Sequence, residues 1–250
     1  MEMGIGFFAV AAPAALFAGI SKGGFGSGAA FASAAILAIY LDPGLALGIM
    51  LPLLMLIDVA TLRPYWRAWA WPEARNLMLG AVPGVVLGVL FYRLVSADAI
   101  RLVIGAIALG FAAWQMAQRA GIIRPFARRL PDIAGGLAGV AAGFTSFVSH
   151  AGGPPAAAYL LSQRLSKTEY QATTVLVFWV VNIVKFIPYA ALGLFTAQTA
   201  LADLILAPVA VLGAWIGVKL HRIVPEPAFF AITYVLLTIT GAKLIWDALT

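Results

Sequence analysis

The 250-residue sequence predicts an all-α, polytopic membrane protein. It should hold about eight to ten transmembrane helical elements in two inverted-topology repeats, with broken or re-entrant helices at two glycine-rich motifs. Three observations lead there. Hydrophobic residues make up 63% of the chain and charged residues 10%, with a mean hydropathy of +0.98. A soluble domain carries roughly 25% charged residues, so the bilayer is the natural solvent for this surface. Two glycine-centred interruptions match across the chain, Ser21-Lys22-Gly23-Gly24-Phe25-Gly26 and Ser149-His150-Ala151-Gly152-Gly153-Pro154-Pro155. The basic residues, finally, gather in alternate loops.

In chain order, apolar runs fall at about 3–20, 27–41, 44–62, 76–95, 99–118, 132–149, 154–163, 170–195, 199–220 and 227–248. A full span needs ~20 apolar residues. The piece at 154–163 is too short to cross alone and 27–41 is borderline, and each follows a glycine break. The stretches 3–41 and 132–163 thus read as paired elements whose tips dip to mid-membrane and do not cross fully. No basic residue precedes the first run, which reads as a retained span and not a cleaved leader. Disulfides and thiolate metal sites are excluded because there is no cysteine. The net charge of +6 comes from residues at helix ends and is no sign of nucleic-acid binding. Nothing in the sequence calls for a cofactor or a metal.

The two halves share one offset. Gly84, Gly88, Arg93 and Val95 recur as Gly213, Gly217, Arg222 and Val224, and the same shift carries Gly23-Gly24 onto Gly152-Gly153. Around 42–65 and 165–195 the register slides. The halves are 1–118 and 132–250, joined by a basic connector at 119–131 that holds Pro125 and Pro131.

Charge orients them. Arg63, Arg67 and Arg75 lie in one loop region, Arg119, Arg124, Arg128 and Arg129 in a second, Arg164 and Lys167 in a third, Lys219 and Arg222 in a fourth. The intervening loops hold Arg93 and Arg101. Eleven against two predicts that the four basic loops face the cytoplasm. Equivalent loops of the halves then face opposite sides, an inverted repeat of the kind found in many secondary transporters. Trp66, Trp69 and Trp71 fit an interfacial belt.

A broken helix inside a membrane frees amides that need partners. Half-helix N-termini aimed at the midplane would offer those donors to an anion. Pro154-Pro155 suits the first turn of a new helix. Candidate ligand groups at the breaks are Ser21, Lys22, Gly23, Gly24, Ser149, His150, Gly152 and Gly153, with Thr145 and Ser146 as further hydroxyls. Competing structural readings are plain: the glycines pack helices, Lys22 snorkels to an interface, and His150 is a satisfied core histidine. Inside the runs, Asp58, Asn182 and Lys185 need partners or a task, because a charge at a helix centre costs at least ~2.5–3.5 kcal/mol. Either Asp58 and Lys185 pair with each other, or Lys185 faces an anion and Asp58 takes part in proton movement. His150 and Asp58 are the proton-coupling candidates. Gln115, Asp203, Lys243 and Asp247 lie nearer span ends and read as interfacial or packing residues.

An intramembrane hydrolase is disfavoured, since adjacent Ser149 and His150 cannot readily align as nucleophile and base. An anion channel would use similar groups without proton coupling. A cation carrier should show more buried carboxylates.

The chain resembles the sulfite exporter TauE/SafE family, also called the toluene sulfonate uptake permeases. The likeness rests on Gly19-Ile20-Ser21-Lys22-Gly23-Gly24-Phe25-Gly26, on Gly143-Phe144 through Pro154-Pro155, and on Asn182 with Lys185 one turn on. The resemblance implies a secondary transporter of small sulfur-containing anions, sulfite or organosulfonates. It implies proton coupling and a multi-pass place in a bacterial cell inner membrane; the family is broad in substrate and direction, and export is the direction expected here. The expected partners are the anion, protons and the lipid bilayer, with a homodimer plausible for so compact a chain and no nucleic acid.

Overall fold

The computed structural model describes residues 4–25, 30–123, 128–221, 223 and 226–250, and for 226–232 the backbone alone. Gly26, Arg124, Pro125, Arg222 and Val224, used in the motif, loop and repeat arguments, lie outside the described residues. All regular structure among the described residues is helical: α1 (Ile5–Gly24), α2 (Phe31–Tyr40), α3 (Pro43–Leu62), α4 (Trp71–Leu94), α5 (Ala97–Arg119), α6 (Asp132–Ser149), α7 (Gly153–Ser162), α8 (Lys167–Ala191), α9 (Ala197–Leu220) and α10 (Glu226–Leu249). Seven of these, α1, α3, α4, α5, α6, α8 and α9, are long and apolar enough to cross a membrane. The protein is a multi-pass membrane protein. Both α2 and α7 have 10 residues. At ~1.5 Å per residue each reaches only about half of a ~30 Å hydrocarbon core.

Helix starts follow local chemistry. Before α3, the Asp42 carboxylate accepts from Gly44 N at 2.9 Å and Pro43 fills the first position. Ser166 and Glu169 form a reciprocal capping box at α8, with bonds of 3.2 and 2.9 Å. Thr196 and Thr199 do the same at α9. Helix α7 opens at Gly153 with its two prolines in the first turn, where no donor is lost.

Packing is organised by small residues, as expected where lipid removes the hydrophobic drive between helices. Helix α1 lies along α9, and α6 lies along α4. A Cβ added at Gly213 would run into Leu16 O, and one at Gly217 into Ile20 O. On the other seam, Gly84 meets Val140 O and Gly143 meets Ala81 O. Helix α3 sits against both α8 and α9, α4 against α8, and α5 against α10. The outer surface is apolar: Leu79, Leu137, Leu204, Trp215 and Ile239 are exposed, as lipid contact requires.

Loop contacts define two ends. At one, Tyr65 meets His221 with ring centroids 5.6 Å apart. Ala70 N donates to Thr173 Oγ1, and Lys167 Nζ to His221 O. Gln163 Nε2 donates to Leu130 O there as well. The other end holds Asp42, Tyr92 beside Gly44, and Leu194 against Gly48, with Arg101 3.9 Å from Asp42.

Candidate functional site

The site is built where α1 and α6 end. Helix α1 stays helical through the pair read as its break and ends at Gly24, the second of the two. The reason is packing: Gly23 lies against Ala214 O and Gly24 against Gly217 O, where no side chain fits. The last carbonyls of a helix lack intrahelical donors. Three elements supply them here. Gln171 Nε2 donates to Lys22 O at 2.6 Å, Tyr65 Oη to Gly23 O at 2.7 Å, and His221 Nδ1 to Gly24 O at 2.7 Å. With its end fixed, α1 carries Lys22 inward, 3% exposed, so it does not snorkel.

Helix α6 ends differently. His150 takes the left-handed conformation, φ 55°. For a residue with a Cβ that costs roughly 1–2 kcal/mol. It closes the helix, with His150 N donating to Ser146 O and Ala151 N to Thr145 O. Ser149 is buried and spends its hydroxyl proton on Thr145 O at 2.9 Å. Gly152 lets the Phe178 ring of α8 and the Ala142 carbonyl come close, where a Cβ would collide with both.

The turn aims the imidazole into a polar network. His150 Nε2 lies 3.2 Å from Leu47 O, and His150 Nδ1 lies 3.0 Å from Lys185 Nζ. A carbonyl can only accept, so Nε2 carries the proton. Nδ1 then accepts from Lys185, and the ring is neutral. Lys185 also donates to Ser146 O at 3.0 Å. Across the site, Lys22 Nζ sits 2.5 Å from Asp58 Oδ1, and Asn182 Nδ2 donates to Asp58 Oδ2 at 2.7 Å. Lys22, Asp58, Asn182, Lys185 and His150 are all buried.

Of the two sequence-based readings for Asp58, pairing with Lys185 is thus replaced by pairing with Lys22. The slide in register between α3 and α8 hid this, since it left their relative rotation open. Ser21 is buried on α1 one residue before Lys22. Gly153 is the first residue of α7. Sequence reasoning missed Gln171, Tyr65 and His221. Gln171 alone gave a signal, as a polar residue within an apolar run.

Between the two groups lies a cavity of about 10 Å³, lined by Lys22, Leu54, Ser146, His150, Asn182 and Lys185 among others. That is room for about one water. Leu54 and Phe178 place it near the middle of α3 and α8. Toward the Asp42 end lie Phe147 and Tyr189. Tyr189 Oη donates to Phe147 O at 2.5 Å, and the two rings stack edge to face, 4.9 Å apart. Toward the Tyr65 end, Gly24, Phe25 and Gln171 border a much larger cavity of about 380 Å³.

Counted in ordinary charge states, two ammonium groups and one carboxylate meet beside a small cavity near the middle of α3 and α8. Buried charge without a partner is expensive, so the arrangement is suited to receive an anion.

Searches of curated proteins and of solved structures gave no match. The protein-family model described as sulfite exporter TauE/SafE matches residues 11–244. With nearly its whole length matched, the chain belongs to the sulfite exporter TauE/SafE family of membrane transporters.

Proposed function

We propose that this protein is a secondary active transporter that exports small sulfur-containing anions, sulfite or short organosulfonates, with proton coupling. The observation that carries the reading is a pair of buried lysines at the central cavity with a single carboxylate to answer them. Lys22 and Lys185 face it together, and one carboxylate, Asp58, answers them. Family membership supports the substrate class.

Asp58 acts as the resident counter-anion. An incoming sulfite takes its place beside Lys22 when a proton neutralises the Asp58 carboxylate. Proton uptake and anion binding therefore favour each other, and the two travel in the same state. Net direction follows the combined gradients of both, and export results when the anion accumulates inside. His150 offers a second proton site with the same logic. A proton at Nδ1 removes the acceptor of Lys185 and turns that ammonium toward the cavity. Asn182 hydrogen-bonds Asp58 in the resting state and is placed to donate to a ligand oxygen.

Alternating access would come from an inverted repeat. Supporting it, α1 packs on α9 as α6 packs on α4, partners that exchange when the halves are exchanged. A channel or uniporter is the rival. The tight Phe147–Tyr189 contact on one side of the central cavity, with the much larger cavity on the other side, favours a carrier.

Sulfite flux into proteoliposomes, with and without an imposed pH gradient, tests the reading. Saturable flux that responds to the gradient is expected. Gradient-blind flux would establish the channel or uniporter, and saturable flux of carboxylates alone would remove the sulfur-anion assignment.

A further inference from the structure

The cavity of about 380 Å³ at the Tyr65 end has the size of a small-molecule site. It is distinct from the central cavity: Lys22 lines one, and Gly24 and Phe25, at the end of α1 and just past it, line the other. Its polar character is one-sided. Arg119 from the end of α5, Lys167 from the start of α8 and His221 after α9 line it, and no carboxylate does among the described residues. Its walls are apolar, with Phe111 and Leu160 both buried. Arg119 lies over the Tyr234 ring, 4.9 Å from its centroid, which fixes the guanidinium at the wall. Gln171 belongs to the cavity and also holds Lys22 O, so its floor touches the segment that carries the central lysine.

We propose that this vestibule is a second binding site, for organic anions with an apolar body, the sulfonate head lying toward Arg119 and Lys167 and the hydrocarbon against Phe111 and Leu160. The inference rests on the anion-carrier reading and adds a place where substrate is held and sorted before the central cavity opens. Sulfite has no apolar part and gains nothing from these walls. A sulfonate with an alkyl chain gains about threefold to fourfold in affinity per buried methylene.

The test is calorimetric titration of the full-length protein in phosphatidylcholine nanodiscs with sulfite and with the alkanesulfonates from methane- to hexanesulfonate. Affinity is expected to rise with chain length. Arg119→Gln with Lys167→Gln should weaken hexanesulfonate at least tenfold, the loss of a charge-assisted hydrogen bond, and leave sulfite binding unchanged. Lys22→Gln should do the reverse. Arg119→Lys, which keeps the charge, should retain most hexanesulfonate binding, showing that the loss is not misfolding. Chain-length-independent affinity overturns the proposal. So does hexanesulfonate binding that survives the double substitution or vanishes with Lys22→Gln alone. Displacement of hexanesulfonate by phosphatidylglycerol added to the nanodiscs would assign the cavity to a lipid headgroup and overturn it too. The two readings fail separately. Absent sulfite binding with Arg119-dependent hexanesulfonate binding removes the sulfite assignment and keeps the vestibule. Sulfite binding without hexanesulfonate binding does the opposite.

Discussion

Lys22 on α1 and Asp58 on α3 form an ion pair of 2.5 Å with both side chains buried, and Asn182 of α8 holds the second carboxylate oxygen. Three helices from the two halves of the chain thus meet at one carboxylate. In the proposed mechanism the pair couples folding to function, because the group that neutralises Lys22 at rest is the one a substrate would replace.

Removing one member should therefore hurt more than removing both. Lys22→Met or Asp58→Asn alone leaves a buried group uncompensated, a cost of about 3–5 kcal/mol. The double variant should recover much of that stability while remaining inactive in sulfite transport. Thermal unfolding in detergent, run beside the flux assay, checks both halves. A double variant less stable than either single one would contradict the pairing.

His150 separates backbone from side-chain effects. Its left-handed conformation favours glycine, so His150→Gly should be about 1 kcal/mol more stable than His150→Ala. Both lose the acceptor of Lys185. His150→Ala should stay folded yet lose transport or its response to a pH gradient. Normal proton-coupled flux from either variant would remove His150 from the mechanism.

The glycine seams give a purely structural prediction. Gly213→Val drives a side chain into Leu16 O, and Gly84→Val drives one into Val140 O. Each should abolish recovery of monodisperse protein. Gly110 has open space where its Cβ would lie, so Gly110→Val should express normally. Size-exclusion profiles of the three variants decide it.

The α1 clamp can be loosened one bond at a time. Tyr65→Phe and Gln171→Leu each leave a buried carbonyl without its donor, Gly23 O or Lys22 O. The expected loss is about 1–3 kcal/mol per substitution. Gln171→Leu should also slow sulfite flux, since it frees the segment bearing Lys22. Unfolding midpoints and initial rates are the readouts.

Much of this was legible in the sequence for physical reasons. Glycine and proline punctuate apolar runs, so the half-length α2 and α7 followed from run length and from Pro154-Pro155. Lys22, Asp58, Asn182, Lys185 and His150 stood out because lipid-facing positions do not tolerate them. Who meets whom was not legible. Partner choice depends on the rotation of α3 against α8, and in that stretch the repeat register gave no anchor. Gly23-Gly24 read as a break because glycine permits one, and α1 does end at Gly24, but the same pair also serves close approach to α9, which the sequence did not announce. The Tyr65, Gln171 and His221 clamp acts on backbone carbonyls, which every residue has, so no side-chain pattern announces it.

The most direct test of the central claim is sulfite binding to purified protein, measured by calorimetry in wild type, Lys22→Gln and Lys185→Gln. The account predicts one site per chain in the wild type and at least a 30-fold loss of affinity in each variant, as expected when one member of a buried charge contact is removed. Wild-type affinity retained in both folded variants would contradict it, because the anion would then be held somewhere other than the cavity between Lys22 and Lys185.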